Sequence, residues 1–280
     1  MSDSVSFFED DELENISEKI SALDELFLNS INYQKSNKYF ELLTFINRFP
    51  SLSPFNAFLV HMQNSGVQIV NTPAKWKKYG RAVKYQARPL VILVPFGPVQ
   101  FVYDIADTEG DPLPDEIINP FSTIGYLAKS QYDTTVTNCE KEGIVVQQYD
   151  MKKASAGYAC ILNNKFTIVI NSTYSLNEKY STLIHELGHI FCGHSGSYKN
   201  SWWKARITSD NTIKEIEAET VSYLVCKRFG LKTTSEQYLS NYLSTDFTLP
   251  PLSLNTILNV SGYIEQMSSR QFKSRMKKIK

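Results

Sequence analysis

Residues 175–192 read SLNEKYSTLIHELGHIFC, and His185-Glu186-Leu187-Gly188-His189 within them governs the reading of the whole chain. Ser175 followed three residues later by Glu178 forms a capping box, so a helix starts there and the five-residue motif lies well inside it. Residues four apart share one face of a helix. His185 and His189 can therefore grip one metal ion, while Glu186 sits beside it to handle protons. Leu183, Ile184, Leu187 and Phe191 anchor the helix in a core and leave the imidazoles facing a cleft. Gly188, which has no side chain, lets another backbone come close. With only four histidines in 280 residues, chance is a poor explanation for two of them in this register.

Catalytic zinc takes three protein ligands and keeps a fourth position for water, so two histidines are not enough. Ser195 stands where the metzincin pattern H-E-x-x-H-x-x-G-x-x-H needs its third histidine, and His194 falls one residue short. His194 reads instead as a loop residue or a substrate-side hydrogen-bond donor. Cys192 reads as a buried free thiol rather than a ligand. The better source lies downstream, where Ile213–Phe229 shows a strong helical pattern closed by Gly230 in the C′ position. Glu215 and Glu219 are four apart on that helix, so one can bind the metal while the other orients a ligand histidine through its second ring nitrogen. The gluzincin E-x-x-x-D arrangement works in this way. By that analogy Glu215 is the third ligand, and Glu219 is either its supporting carboxylate or the alternative ligand. Glu217 is a further alternative that otherwise reads as a solvent-facing charge.

The composition sets limits on the rest. The chain is 42% hydrophobic, and 29 Lys and Arg balance 29 Asp and Glu, so whole-molecule charge favours neither a nucleic-acid nor a membrane partner. No apolar run reaches the 18 residues of a membrane span and no signal-like leader is visible, so a cytoplasmic protein with no membrane partner is expected. The four cysteines, Cys139, Cys160, Cys192 and Cys226, are widely spaced and fit reduced thiols.

Along the chain, residues 1–30 form an acidic segment with the apolar spacing of an amphipathic helix. Tyr39–Phe49 and Pro54–Gln63 read as helices, and Leu90–Val94 and Val99–Ile105 as a hairpin joined by Pro95-Phe96-Gly97-Pro98. The acidic, proline-rich stretch from Asp107 to Pro120 suggests a domain boundary, which divides the chain into 1–30, 31–116 and 117–280. Beyond it, Ser122–Asn138 reads as a helix and Ile144–Tyr149, Tyr158–Leu162 and Phe166–Ile170 as strands, with Asn163-Asn164 turning the last two into a hairpin. The tail from Arg270 to Lys280 is basic, as a solubilising chain end often is.

HELGH, followed by EIEAETVSYLVCKRFG at 215–230 and preceded by a small three-strand sheet, resembles the ImmA/IrrE-type metallo-endopeptidases. Glu215 to Glu219 match that family's E-x-x-A-N/E pattern. Residues 55–111, from FNAFLVHMQNSG to YDIADTEGD, resemble the N-terminal region in relatives of the ArdC-type antirestriction proteins. The resemblance implies an α+β chain: a zincin-like, minimal gluzincin domain with a small twisted sheet and an active-site helix, preceded by a mixed α/β ArdC-like domain. It also implies that the strand before the active-site helix, Phe166–Ile170, lies at the sheet edge and binds an extended peptide by strand addition. One Zn2+ per chain would be held by His185, His189 and Glu215, with Glu186 as general base for metal-bound water and then proton donor to the leaving amine. The implied substrate is a regulatory or mobile-element protein such as a transcriptional repressor. His194, Tyr198 and Tyr223 stand as alternatives for stabilising the oxyanion.

ArdC-type relatives bind single-stranded DNA through this N-terminal region, which directs attention to Lys75, Trp76, Lys77, Lys78, Tyr79, Arg81, Lys84, Tyr85 and Arg88. Cations for phosphates interleaved with aromatics for bases suit a single strand. The alternative to peptide hydrolysis is thus an antirestriction-type protein that binds single-stranded DNA and whose metal domain is mainly structural.

Overall fold

Ser53, Thr72, Ser175 and Ser253 each cap the start of a helix, and Pro54 and Pro73 follow the first two. In a computed structural model of the chain, residues 36–94, 97, 99–114, 127–151, 155–206, 210–233, 235, 239 and 249–276 are described. The acidic segment 1–30, residues 115–120 of the proline-rich stretch, three of the four residues joining the expected hairpin and the last four of the basic tail lie outside them.

Helix α1 spans Ser36–Asn47 and α2 spans Pro54–Gln63. The Ser53 hydroxyl accepts the Asn56 N–H, and Pro54 takes the first position, where a missing N–H costs nothing. There follow β1 (Val70–Asn71), α3 (Pro73–Lys78), β2 (Arg81–Val83), β3 (Leu90–Ile92), β4 (Gln100–Asp104), a 3-10 turn (Ile105–Asp107) and β5 (Thr108–Gly110). Strand β4 is central in an antiparallel sheet ordered β1-β4-β3, and β2 pairs with β5 as a separate ribbon.

The second half holds α4 (Lys129–Lys141), β6 (Ile144–Tyr149), β7 (Gly157–Leu162), β8 (Lys165–Asn171), α5 (Leu176–Phe191), α6 (Asn211–Arg228) and α7 (Leu254–Met267). Of the helix expected over Ser122–Asn138, residues 122–126 lie outside the described residues, and α4 starts at Lys129 with Ala128 before it in an extended conformation. The chain is a mixed α/β structure, with seven α-helices and three small sheets among the described residues.

The third sheet corrects one expectation. Its order is β6-β8-β7, with β6 parallel and β7 antiparallel to β8, so Phe166–Ile170 runs through the centre and β7 forms an edge. Every residue of β8 after Lys165 is buried, the signature of a strand covered on both faces. The expected β7–β8 hairpin is present. Asn163 and Asn164 both have positive φ, 50° and 58°, which asparagine tolerates and which matches the twist of the flanking strands.

One buried cluster runs from Tyr39 on α1 to Phe272 beyond α7 and crosses the expected boundary. Helix α1 packs on α6, and α2 packs on α7. Arg228, 7% exposed, closes α6 against the α1–α2 connection by donating to the Ile46, Phe49, Pro50 and Leu52 carbonyls, and it pairs with Glu265 of α7. Among the described residues, no helix is long and apolar enough to cross a membrane.

Candidate metal centre

Helix α5 begins as its sequence dictates. The Ser175 hydroxyl caps the Glu178 N–H, and the Glu178 carboxylate accepts the Ser175 N–H in return. Leu183, Ile184, Leu187 and Ile190 are fully buried on one side. His185 and His189, one turn apart, turn instead toward α6 and keep 21% and 14% side-chain exposure. Gly188 is where the two helices meet, since a Cβ there would lie 3.2 Å from the Ala218 Cα. The sequence expectation for this glycine holds, and the approach it permits brings α6 carboxylates to the histidines.

The Nε2 atoms of His185 and His189 stand 3.1 Å apart. The Glu215 carboxylate closes a triangle, with Oε2 3.6 Å from His185 Nε2 and Oε1 3.5 Å from His189 Nε2. Tetrahedral coordination at the usual zinc–nitrogen and zinc–oxygen lengths of about 2.0–2.1 Å requires ligand atoms about 3.3–3.4 Å apart. Each edge of the triangle is within about 0.3 Å of that spacing. The three groups thus fit one divalent ion, and two imidazoles with a carboxylate are a donor set suited to zinc.

Behind this triangle each imidazole is held through its other nitrogen. His185 Nδ1 lies 3.3 Å from Glu219 Oε2, which also accepts the Ser235 hydroxyl at 2.8 Å. A carboxylate only accepts, so His185 carries its proton on Nδ1 and presents a lone pair from Nε2. His189 Nδ1 lies 3.1 Å from His194 Nδ1, and His194 Nε2 lies 2.9 Å from Glu217 Oε2. Arg206 grips both oxygens of Glu217 at 2.8 and 2.9 Å, and the Ser253 N–H adds a bond of 2.8 Å.

One reading is corrected here. Glu217, expected as a solvent-facing charge where it is not a ligand, has a side chain with 0% exposure. His194 lies in the turn after α5, as one of its two readings had it, but its side chain is 2% exposed. Position 217 points α6 inward, and the chain after Gly193 folds back so that Arg206 N donates to the Gly193 carbonyl, enclosing His194. Tyr223 is also buried, and Tyr198 uses its hydroxyl to accept the Phe166 N–H.

Electrostatics follow from the packing. Burial pulls the His185 pKa down, but the hydrogen bond and charge of Glu219 outweigh it and the net shift is upward. Burial raises the Glu186 carboxyl, opposed by the two histidines and by the backbone of Ala159 in β7. Burial alone would raise Glu217, but His194, Arg206 and the Ser253 N–H hold it at about 2. Cys192 is a free thiol, raised by burial, and clusters with His194 and Glu217 rather than with the triangle. Arg206, Ser235 and Ser253 escaped the sequence reading because they come from segments whose approach no local spacing announces.

The basic segment divides. Lys75, Lys77, Lys78, Lys84, Tyr85 and Arg88 are exposed. Trp76, one of the aromatics offered for stacking on bases, is fully buried and donates its indole N–H to the Tyr103 carbonyl at 2.9 Å, which removes it from that role. Tyr79 packs edge-on against it. Arg81 is committed to β5 and the residue after it, donating to Thr108, Gly110 and Asp111. Lys84 donates to the Ala106 carbonyl at 2.8 Å.

Residues 139–247 match the family model for the IrrE N-terminal-like domain, Peptidase_M78. This segment contains β6 to β8, α5, α6 and every residue of the triangle, so the ImmA/IrrE resemblance read from HELGH is met there. No curated protein matches the chain. Two crystal structures of the antirestriction ArdC protein from the R388 plasmid are similar. The metal-free form shares 14% identity over 77% of this chain and 82% of that one, with a TM-score of 0.38. The Mn(II)-bound form shares 15% identity over 81% and 92%, with a TM-score of 0.39.

Proposed function

We propose, on the premise that residues 139–247 carry an IrrE N-terminal-like domain, that this chain is a zinc-dependent endopeptidase acting on a regulatory or mobile-element protein. The observation that carries this reading is the triangle of His185, His189 and Glu215 with Glu186 on the same helical turn. A divalent ion held by those three residues supplies Lewis acidity, which polarises a carbonyl and makes a water acidic near neutral pH. Glu186, 9% exposed and held near the Ala159 backbone of β7, takes the proton of the attacking water and passes it to the leaving amine. Glu219 and His194 keep the two imidazoles from turning.

Of the two edge strands, β6 and β7, β7 is the one whose backbone meets Glu186. An extended peptide added to its outer edge would be anchored by backbone hydrogen bonds, and the contact between Ala159 and Glu186 supports a pose with its scissile carbonyl beside the base. Tyr158, Ile161 and Leu162 on β7 are exposed large side chains, which favours apolar residues in such a peptide.

Glu186→Gln should keep about one metal ion per chain and lose about 10²–10⁴-fold in cleavage of a trapped protein substrate. Undiminished cleavage would sink the assignment. A second reading, single-stranded DNA binding, is favoured by the exposed Lys75, Lys77, Lys78, Lys84 and Arg88 with Tyr85 beside them. Replacing Lys77, Lys78 and Arg88 by Gln together should then weaken binding and flatten its dependence on salt. An absence of binding at low salt would dispose of it.

A further inference from the structure

The two histidines of the triangle are supported differently. His185 meets a carboxylate directly, whereas His189 meets another imidazole, and that imidazole meets the buried, Arg206-clamped carboxylate of Glu217. The direction of these bonds is fixed from the far end. Glu217 can only accept, so His194 carries its proton on Nε2 and offers a bare Nδ1. That Nδ1 stands 3.1 Å from His189 Nδ1, so His189 must carry its own proton on Nδ1 and turn the lone pair of Nε2 toward His185 Nε2 and Glu215.

The geometry points to His194 as a positioning residue: a relay from Arg206 through Glu217 and His194 sets the tautomer and ring angle of His189 and thereby makes it a ligand. The inference rests on the metal-centre reading above. A direct carboxylate behind His189 would add negative charge beside Glu215 and Glu219. The neutral His194 conveys the same orientation while leaving the Glu217 charge paired with Arg206. The relay also ties the centre to structure outside the two ligand helices. Arg206 is fixed by its N–H to Gly193, and Glu217 accepts the Ser253 N–H at the start of α7. Gly193 is required at that contact, since its φ is 80° and a Cβ would fall 2.0 Å from the Lys204 carbonyl oxygen.

The test measures Co(II) affinity by chelator competition, with the visible spectrum of the bound ion and circular dichroism, on wild type, His194→Phe and His194→Asn. Phe fills the space without accepting a hydrogen bond, and Asn restores an acceptor near the position of Nδ1. His194→Phe should weaken Co(II) binding about 10–100-fold and shift the visible bands, while His194→Asn recovers most of both. If Phe is not accommodated, the smaller His194→Leu takes its place. A folded Phe or Leu variant with wild-type affinity and spectrum overturns the relay, as does a folded Asn variant no better than Phe. Failure of the metal-centre reading is distinguishable, because wild type itself would then not bind Co(II).

Discussion

Glu215 and Glu219 sit one turn apart on α6 and take different places around the imidazoles. Glu215 reaches both Nε2 atoms and is 46% exposed, whereas Glu219 stands behind His185 and is held by Ser235. Glu215→Ala should drop bound zinc well below one per chain. Glu219→Ala should preserve the stoichiometry and weaken affinity about 10–100-fold in chelator competition, and equal effects of the two variants would contradict these roles. This pair was legible in the sequence because a four-residue spacing fixes a shared helical face. Glu217 was misread for the complementary reason: helical periodicity shows which face a residue occupies, but not what a later loop, here the one that carries His194 and Arg206, brings against it. Trp76 could be read either way, since an aromatic among lysines has the same local pattern whether its ring is outside or tucked beneath β4.

Between elements, the α5–α6 contact is the most sensitive to change. Gly188→Ala would force the Ala218 backbone away from its present approach. It should cost about 1–3 kcal/mol in denaturant unfolding, and it should weaken metal binding as well, because the proposed ligands lie on both helices. The start of α5 offers a pH test. Glu178 has its pKa lowered below the ordinary 4.5 by hydrogen bonds from the Ser175 hydroxyl and N–H. A depressed carboxyl stabilises the fold above its unfolded pKa and loses that contribution as pH falls through the folded value. Ser175→Ala should therefore cost about 1 kcal/mol near neutral pH, and its stability deficit relative to wild type should shrink below about pH 4. A deficit that stays constant with pH would contradict the capping box. The β7–β8 hairpin was readable from Asn163-Asn164, but strand order was not, since pairing between distant segments leaves no local mark. The unbroken apolar run of β8 was the available sign that it is central rather than an edge.

At the scale of the molecule, one core joins α1 and α2 to the helices of the metal centre, and Arg228 is its main polar tie. Arg228→Met leaves Glu265 and several carbonyls without their partner, which should cost about 3–5 kcal/mol. Unfolding followed by a probe in α1 and by one in α6 should shift together, whereas two separated transitions would show that the halves fold apart. The division near residues 107–120 was drawn from charge and proline content, which describe a segment's solubility but not what packs on either side of it. The most direct test of the metal centre is X-ray absorption at the zinc edge of the zinc-loaded chain, because the described residues contain a second cluster, Cys192, His194 and Glu217, within reach of one ion. The account predicts two imidazoles and only nitrogen or oxygen neighbours at about 2.0–2.1 Å. A sulfur shell at about 2.3 Å, or a single imidazole, would contradict it.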